Sequence, residues 1–165
     1  MPIVATEVQY RLSGGAANAD PLLSLGGTKS STAFGANFFD DVTSAQSAAG
    51  SVEYRCLYVN NSNATLVYQN AVIWIQANTP SADTTLDIGI GTSAINGVEQ
   101  TTANEATAPT GVTFTAPSAF AAGLVLGSLP AGQHRAVWVR RTVNVGAAAI
   151  NSDTYTLRVQ GDTAA

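Results

Sequence analysis

The side chains that could do chemistry are few and far apart. There is one histidine, His134, and one cysteine, Cys56. A lone histidine cannot build a multi-histidine zinc centre, and neither residue stands at a spacing that makes a nucleophile–base pair. Cys56 lies inside an apolar alternating run, where a small buried side chain is expected rather than a nucleophile. His134 follows the turn signal Pro130-Ala131-Gly132 and reads as a solvated histidine at the start of a strand. Asp40-Asp41 is an acidic pair, but adjacent carboxylates on a strand point to opposite faces and do not converge as acid and base. In a loop they read as turn or surface solvation, or as two of the roughly six oxygens a divalent cation needs. Gly14-Gly15 and Gly26-Gly27 precede no helix and lack the Lys-Ser/Thr of a phosphate loop. Two matches to the N-glycosylation pattern, at Asn60 and Asn63, read as turn chemistry. These residues predict no catalytic site, no cofactor, no metal and no enzyme activity.

The remaining sequence information goes into sheet building. In residues 51–59, Val52, Tyr54, Cys56 and Tyr58 project to one side, and Glu53, Arg55, Leu57 and Val59 to the other. Residues 67–75 are dense in β-branched and aromatic types. Asn60-Asn61-Ser62-Asn63 breaks the two runs, which together predict a hairpin. Further alternating or apolar runs cover 6–13, 84–90, 123–129, 133–143 and 153–160, with a short strand at 112–114. Segments 43–49 and 117–122 offer only short helix candidates. About eight strands broken by Gly, Pro and Asn turns predict an all-β chain, an antiparallel β-sandwich or jelly roll with long loops. Tyr54, Cys56, Tyr58, Trp138, Tyr155, Leu157 and Val159 are expected to supply much of the core, and Trp74 to pack there too.

With 165 residues of one texture, a single domain over 1–165 is the expectation. Segment 14–34 is rich in Gly, Ala, Ser and Asn and predicts an extended arm or long loop, and 91–110 a second polar excursion. Only 11% of residues are charged, against roughly 25% in an average domain. Such a neutral surface suits permanent packing against other subunits, where each buried charge would need a partner. The net charge of −4 and the absence of a basic cluster beyond Arg140-Arg141 argue against nucleic acid as a partner. No apolar run approaches the roughly 18 residues needed to span a bilayer, and the first residues show no secretory signal pattern. Leu22, Leu23 and Leu25 form an apolar patch, and Arg140 and Arg141 carry forks suited to carboxylates. These five are the candidate interface residues.

The stretch 50–61, GSVEYRCLYVNN, resembles a motif of small virion proteins of tailed bacteriophages. The stretches 137–143, VWVRRTV, and 157–163, LRVQGDT, are similar to the same group. The resemblance covers roughly residue 25 to the end of the chain. It implies a structural component of the particle located in the virion and assembled in the host cytoplasm. The type it implies is a head decoration (cement) protein, with the major capsid protein and copies of itself as partners in a homo-oligomer. The alternative is a tail or baseplate module that binds a host-surface glycan. The resemblance carries no catalytic residues.

Overall fold

The computed structural model of the chain describes residues 2–150 and 153–163. The expected all-β architecture is present: nine strands in three antiparallel sheets, with one short helix. The first sheet has the order β1 (Val8–Leu12), β3 (Ser51–Asn61), β8 (His134–Val143), β5 (Thr84–Ile90). The second has the order β7 (Leu124–Leu129), β4 (Tyr68–Ala77), β9 (Thr156–Thr163). They face each other across Leu57, Val59, Val137, Val139, Leu86 and Ile88 from the first sheet and Ala71, Ile73, Ile75, Leu126 and Leu129 from the second. Tyr155, Leu157 and Val159 pack against this layer from the edge. A small ribbon of β2 (Gly26–Gly27) and β6 (Glu99–Thr101) forms a third sheet against the outer face of the first, where the Tyr58 hydroxyl donates to Gly27 O and accepts from Glu99 N at 3.0 Å.

Three expectations need correction. First, residues 51–77 are not a hairpin. β3 already has β1 and β8 on its two sides, so β4 has no edge to join. The asparagines still make the turn, but they send the chain to the opposite sheet. Asn61 Nδ2 donates to the carbonyls of Leu66 at 2.8 Å and Leu129 at 2.9 Å, and Asn63 Oδ1 accepts from the Thr65 and Leu66 amides.

Second, the face carrying Cys56 and Tyr58 is buried but does not face the other sheet. With Ala136 and Trp138 these residues form a separate cluster on the outer side of the first sheet, joined by Tyr54, Val112 and Phe114. Both faces of β3 are therefore covered, which explains why both of its alternating sets are rich in large apolar residues. The predicted strand at 112–114 does not form. The segment runs across the outer face and touches β5 only through the Ile88–Thr115 bridge. Gly89 allows that approach, since a Cβ there would lie 2.5 Å from Val112 Cγ1 and 2.6 Å from the Thr113 carbonyl oxygen.

Third, of the two forms expected for residues 14–34, the extended arm is not seen and the long loop is. It folds against β1 and β3. The Gly14 amide donates to Gly26 O at 2.7 Å, Ser30 N to Leu12 O at 2.8 Å, and Cys56 N to Ser24 O at 2.7 Å. Segment 91–110 closes over the same region, with Thr102 N donating to Leu25 O at 2.9 Å and Tyr54 N to Glu105 O at 2.7 Å. The polar excursions thus pay their ordering entropy within the domain, by roofing the outer cluster and sealing the β3 edge that β1 leaves open.

The helix α1 (Ser44–Ala49) lies within the first of the two short candidates. Thr43 Oγ1 accepts from the Gln46 amide while Gln46 Oε1 accepts from the Thr43 amide, a reciprocal cap, and Gly50 ends it with φ +76°. Segment 117–122 holds only a single turn of 3-10 helix, at Phe120–Ala122. The end of the loop predicted over 144–152 lies outside the described residues.

Candidate functional site

The densest constellation of charged side chains sits at one end of the sandwich. It grows from the strand period. Glu53 and Arg55 share the inward face of β3 with Leu57 and Val59, and Arg141 follows Val137 and Val139 on the inward face of β8. The register sets Glu53 opposite Arg141. Arg141 Nε donates to Glu53 Oε2 at 2.7 Å, Nη1 donates to the Asp40 carbonyl at 2.6 Å, and Nη2 reaches Asp40 Oδ1 at 3.3 Å. Arg55 is 2% exposed; it donates to the carboxylate of Glu105 and to the Leu22 carbonyl. The Phe39 ring lies under both guanidiniums, 5.9 Å from Arg55 Cζ and 4.8 Å from Arg141 Cζ. It is the last of three aromatic rings, Phe34, Phe38 and Phe39, stacked edge to face down the loop that closes this end.

Carboxylate oxygens of Asp40, Glu53 and Glu105 come within 4.8 Å of one another, a spacing at which a metal ion could be held. Two guanidiniums already stand among them and offset that negative charge. The chemistry of the donor set is that of an ion-pair network. Burial pushes the Glu53 carboxyl up, and the Arg141 charge pulls it back only in part. Beside the network opens a cleft of about 870 Å³, lined by Phe38, Phe39, Asp40, Thr84, Arg141 and Tyr155 among others. Burial raises the Tyr155 hydroxyl above its ordinary range, so it faces the cleft as a neutral phenol.

The two groups best suited to act as nucleophile and base are not brought together. The Cys56 thiol is fully buried, packs on the Leu57 carbonyl at 3.7 Å and is pushed up by burial, so it stays protonated. His134 is not a solvated histidine: it is half-buried, with its ring 4.8 Å from that of Tyr58, edge to face. Burial, and then the charge of Lys29, hold it below its ordinary value. Glu99 is 2% exposed. Burial pulls its carboxyl upward, but hydrogen bonds from the Ser93 amide at 2.9 Å and the Thr92 hydroxyl at 3.1 Å hold it below the usual range.

These two groups predict the acid side of the stability curve. A group whose value is depressed by folding contributes stability that is present above its unfolded value and lost as the pH falls through its folded one. His134 should therefore erode stability below about pH 6.5, and Glu99 below about pH 4.3. Melting temperatures measured from pH 8 to pH 3 should fall in those two windows. His134→Asn should remove the first decline, and Glu99→Gln the second. A flat profile down to pH 4 would contradict the burial of His134.

The five candidate interface residues separate into two kinds. Leu22 and Leu23 project outward, 39% and 59% exposed, from the 3-10 turn at Pro21–Leu23. Asp20 fixes that turn by accepting from the Leu22 amide at 2.9 Å. Leu25 is half-buried beside it. Arg140, on the outer face, is bound to Asp87 Oδ2 at 2.8 Å and lies over the Phe114 ring at 5.1 Å, and Arg141 is in the buried network. Both arginines are thus engaged inside the domain. Sequence reasoning missed Glu53 as the partner of Arg141, and the Arg55–Glu105 pair beside it. The available signal was a Glu and an Arg in line with Leu57 and Val59, on a face that the strand period makes inward.

No protein-family model, no curated protein and no solved structure matches the chain.

Proposed function

We propose that this chain is a structural virion protein of a tailed phage. Its role is that of a head decoration (cement) protein, which binds the capsid lattice through the major capsid protein and through copies of itself. The observation that carries the reading is where the charges and the apolar side chains go. Arg55, Arg140 and Arg141 are spent on internal ion pairs with Asp40, Glu53, Asp87 and Glu105. Among the described residues this leaves Arg11, Lys29, Arg135 and Arg158 as the cations outside ion pairs. Meanwhile Leu22, Leu23, Val98, Phe120 and Val125 are turned outward. Few unpaired cations and several outward apolar side chains are thus left at the surface, which suits contact with other subunits.

The contact mode differs from an arm reaching to a neighbour. The loops that present Leu22, Leu23 and Val98 are tied down by backbone hydrogen bonds, so little entropy is lost when they are covered. A rigid domain touching several lattice subunits at once raises the cost of removing any one of them. The chain acts without catalysis, metal or cofactor, and among the described residues no helix is long and apolar enough to cross a membrane. Antibody raised against the chain should label the heads of intact particles. Label confined to tails would select the alternative, a tail or baseplate module that binds a host glycan.

A further inference from the structure

Three of the four strands that end a large sheet have their outer side protected. Residues 30–34 run beside β1, with Leu12 N donating to Thr32 O at 3.1 Å and Phe34 N to Tyr10 O at 2.8 Å. β5 is closed by Thr115, which exchanges two bonds with Ile88, and by the Asn78 side chain, which bonds both backbone groups of Leu86. β7 is six residues long and carries a bulge near Gly127, at φ +90°, a device that blunts an edge.

Among the described residues, β9 has no neighbouring backbone on its outer side and no bulge of its own, and only the Tyr10 hydroxyl touches its outer row. Its eight residues include no proline and no lysine, and both irregularities of its pairing place the extra residue on β4. Among the described residues, no backbone group of β9 bonds to backbone other than that of β4. The orientation of the outer row follows from Ile75, whose amide donates to Pro117 O on the β7 side. The pair Ile75–Leu157 is therefore a non-hydrogen-bonded one, and Leu157, Val159 and Gly161 point their N–H and C=O groups away from β4. The Tyr10 hydroxyl reaches the Leu157 carbonyl from that side at 3.3 Å. A groove of about 360 Å³ runs along the same edge, between β9 and residues 3–10.

We infer that β9 pairs antiparallel with the β9 of a second copy of this chain, about a two-fold axis through Gln160. The charges fix the register. Thr156, Arg158, Gln160 and Asp162 share the exposed face. Antiparallel pairing centred on Gln160 sets Arg158 of each copy opposite Asp162 of the other, at a non-hydrogen-bonded position where Cα atoms approach to about 4.5 Å. It also sets Val159 opposite Gly161, so that the outward backbone groups of each meet a partner. Within one copy, Arg158 lies over the Trp74 ring at 5.8 Å and Asp162 accepts from Asn70 Nδ2 at 3.3 Å, so neither has a charged partner of its own. Two three-stranded sheets become one six-stranded sheet. The pairing gives the self-contact of the proposed function a surface, and it stands on β9 whether or not the chain sits on a capsid.

The test is the mass of the purified full chain by sedimentation velocity over a range of concentrations. A dimer is expected. Arg158→Asp places like charges together twice and should raise the dissociation constant at least about tenfold. The swap Arg158→Asp with Asp162→Arg should restore it. Val159→Pro removes an outward N–H that β4 does not use and should give a folded monomer, checked by its melting temperature. Gln160→Cys should cross-link across the axis on oxidation. Thr156→Cys should not, since its copies lie roughly 27 Å apart in this register. A monomer at every accessible concentration would overturn the pairing, as would a dimer indifferent to the charge reversal and not cross-linked through position 160. Neither result bears on whether the chain binds capsids.

Discussion

Trp138→Ala is expected to destabilise the domain by about 3–5 kcal/mol, the range for deleting a large buried aromatic. Trp138 is fully buried in the middle of β8 and fills the outer cluster between Cys56, Tyr58 and Ala136 and the roof of Val112 and Phe114. Its neighbours across the sheet are Cys56 and Gly89, both too small to fill the gap. The two long polar loops rest on this side, so they lose their support at the same time. For a chain of this length the loss corresponds to roughly 2–4 °C in Tm per kcal/mol. Trp138→Phe keeps most of the packing and should lie between the two. A Tm for the alanine variant within 2 °C or so of the parent would mean that the outer cluster is not a core.

The second large effect is at the ion-pair network. Arg141→Met should cost about 3–5 kcal/mol, because it leaves Glu53 buried without its cation. The remaining group, Asp40, Glu53 and Glu105, would then share Arg55 alone. Removing both charges of the facing pair, with Arg141→Met and Glu53→Leu together, should recover much of that loss, since well-packed apolar residues often replace a buried pair at little cost. The pH dependence has a definite sign. An unpaired buried carboxylate has its value raised above the unfolded one, so the penalty stands at neutral pH and fades as Glu53 protonates on acidification. Chemical denaturation at pH 7.5 and pH 5 reads both effects. A single variant as stable as the parent would place Arg141 and Glu53 in water rather than inside the sandwich.

The strands were legible wherever one face alternates with the other. β5 and β8 follow directly from their periodicity, as does the all-β class; the last strand, expected over 153–160, runs over Thr156–Thr163 instead. What could not be read is pairing. A run such as 51–61 declares a strand, but its partners are set by which edges remain free, and that depends on β1 and β8, far away in sequence. Hence two adjacent runs that read as a hairpin belong to opposite sheets. The ribbon of β2 and β6 was invisible because two and three residues carry no period. The loops misled for another reason. Gly, Ser and Asn signal the absence of a regular element, and a chain lacking one can still be ordered by hydrogen bonds to its own domain. The ion-pair network was half legible: the inward parity of Glu53, Arg55 and Arg141 follows from the strand period, while Asp40 and Glu105 reach them from loops.

The central claim is that this domain attaches to the outside of a capsid, and co-sedimentation of the purified protein with heads that lack it tests that most directly. The account predicts saturable binding to heads at a fixed number of copies per lattice unit. It also predicts a loss of binding for Leu22→Asp with Leu23→Asp, which puts charge on the projecting turn without touching the core. Protein that stays in the supernatant with heads but pellets with tails or with host-surface glycan would contradict it.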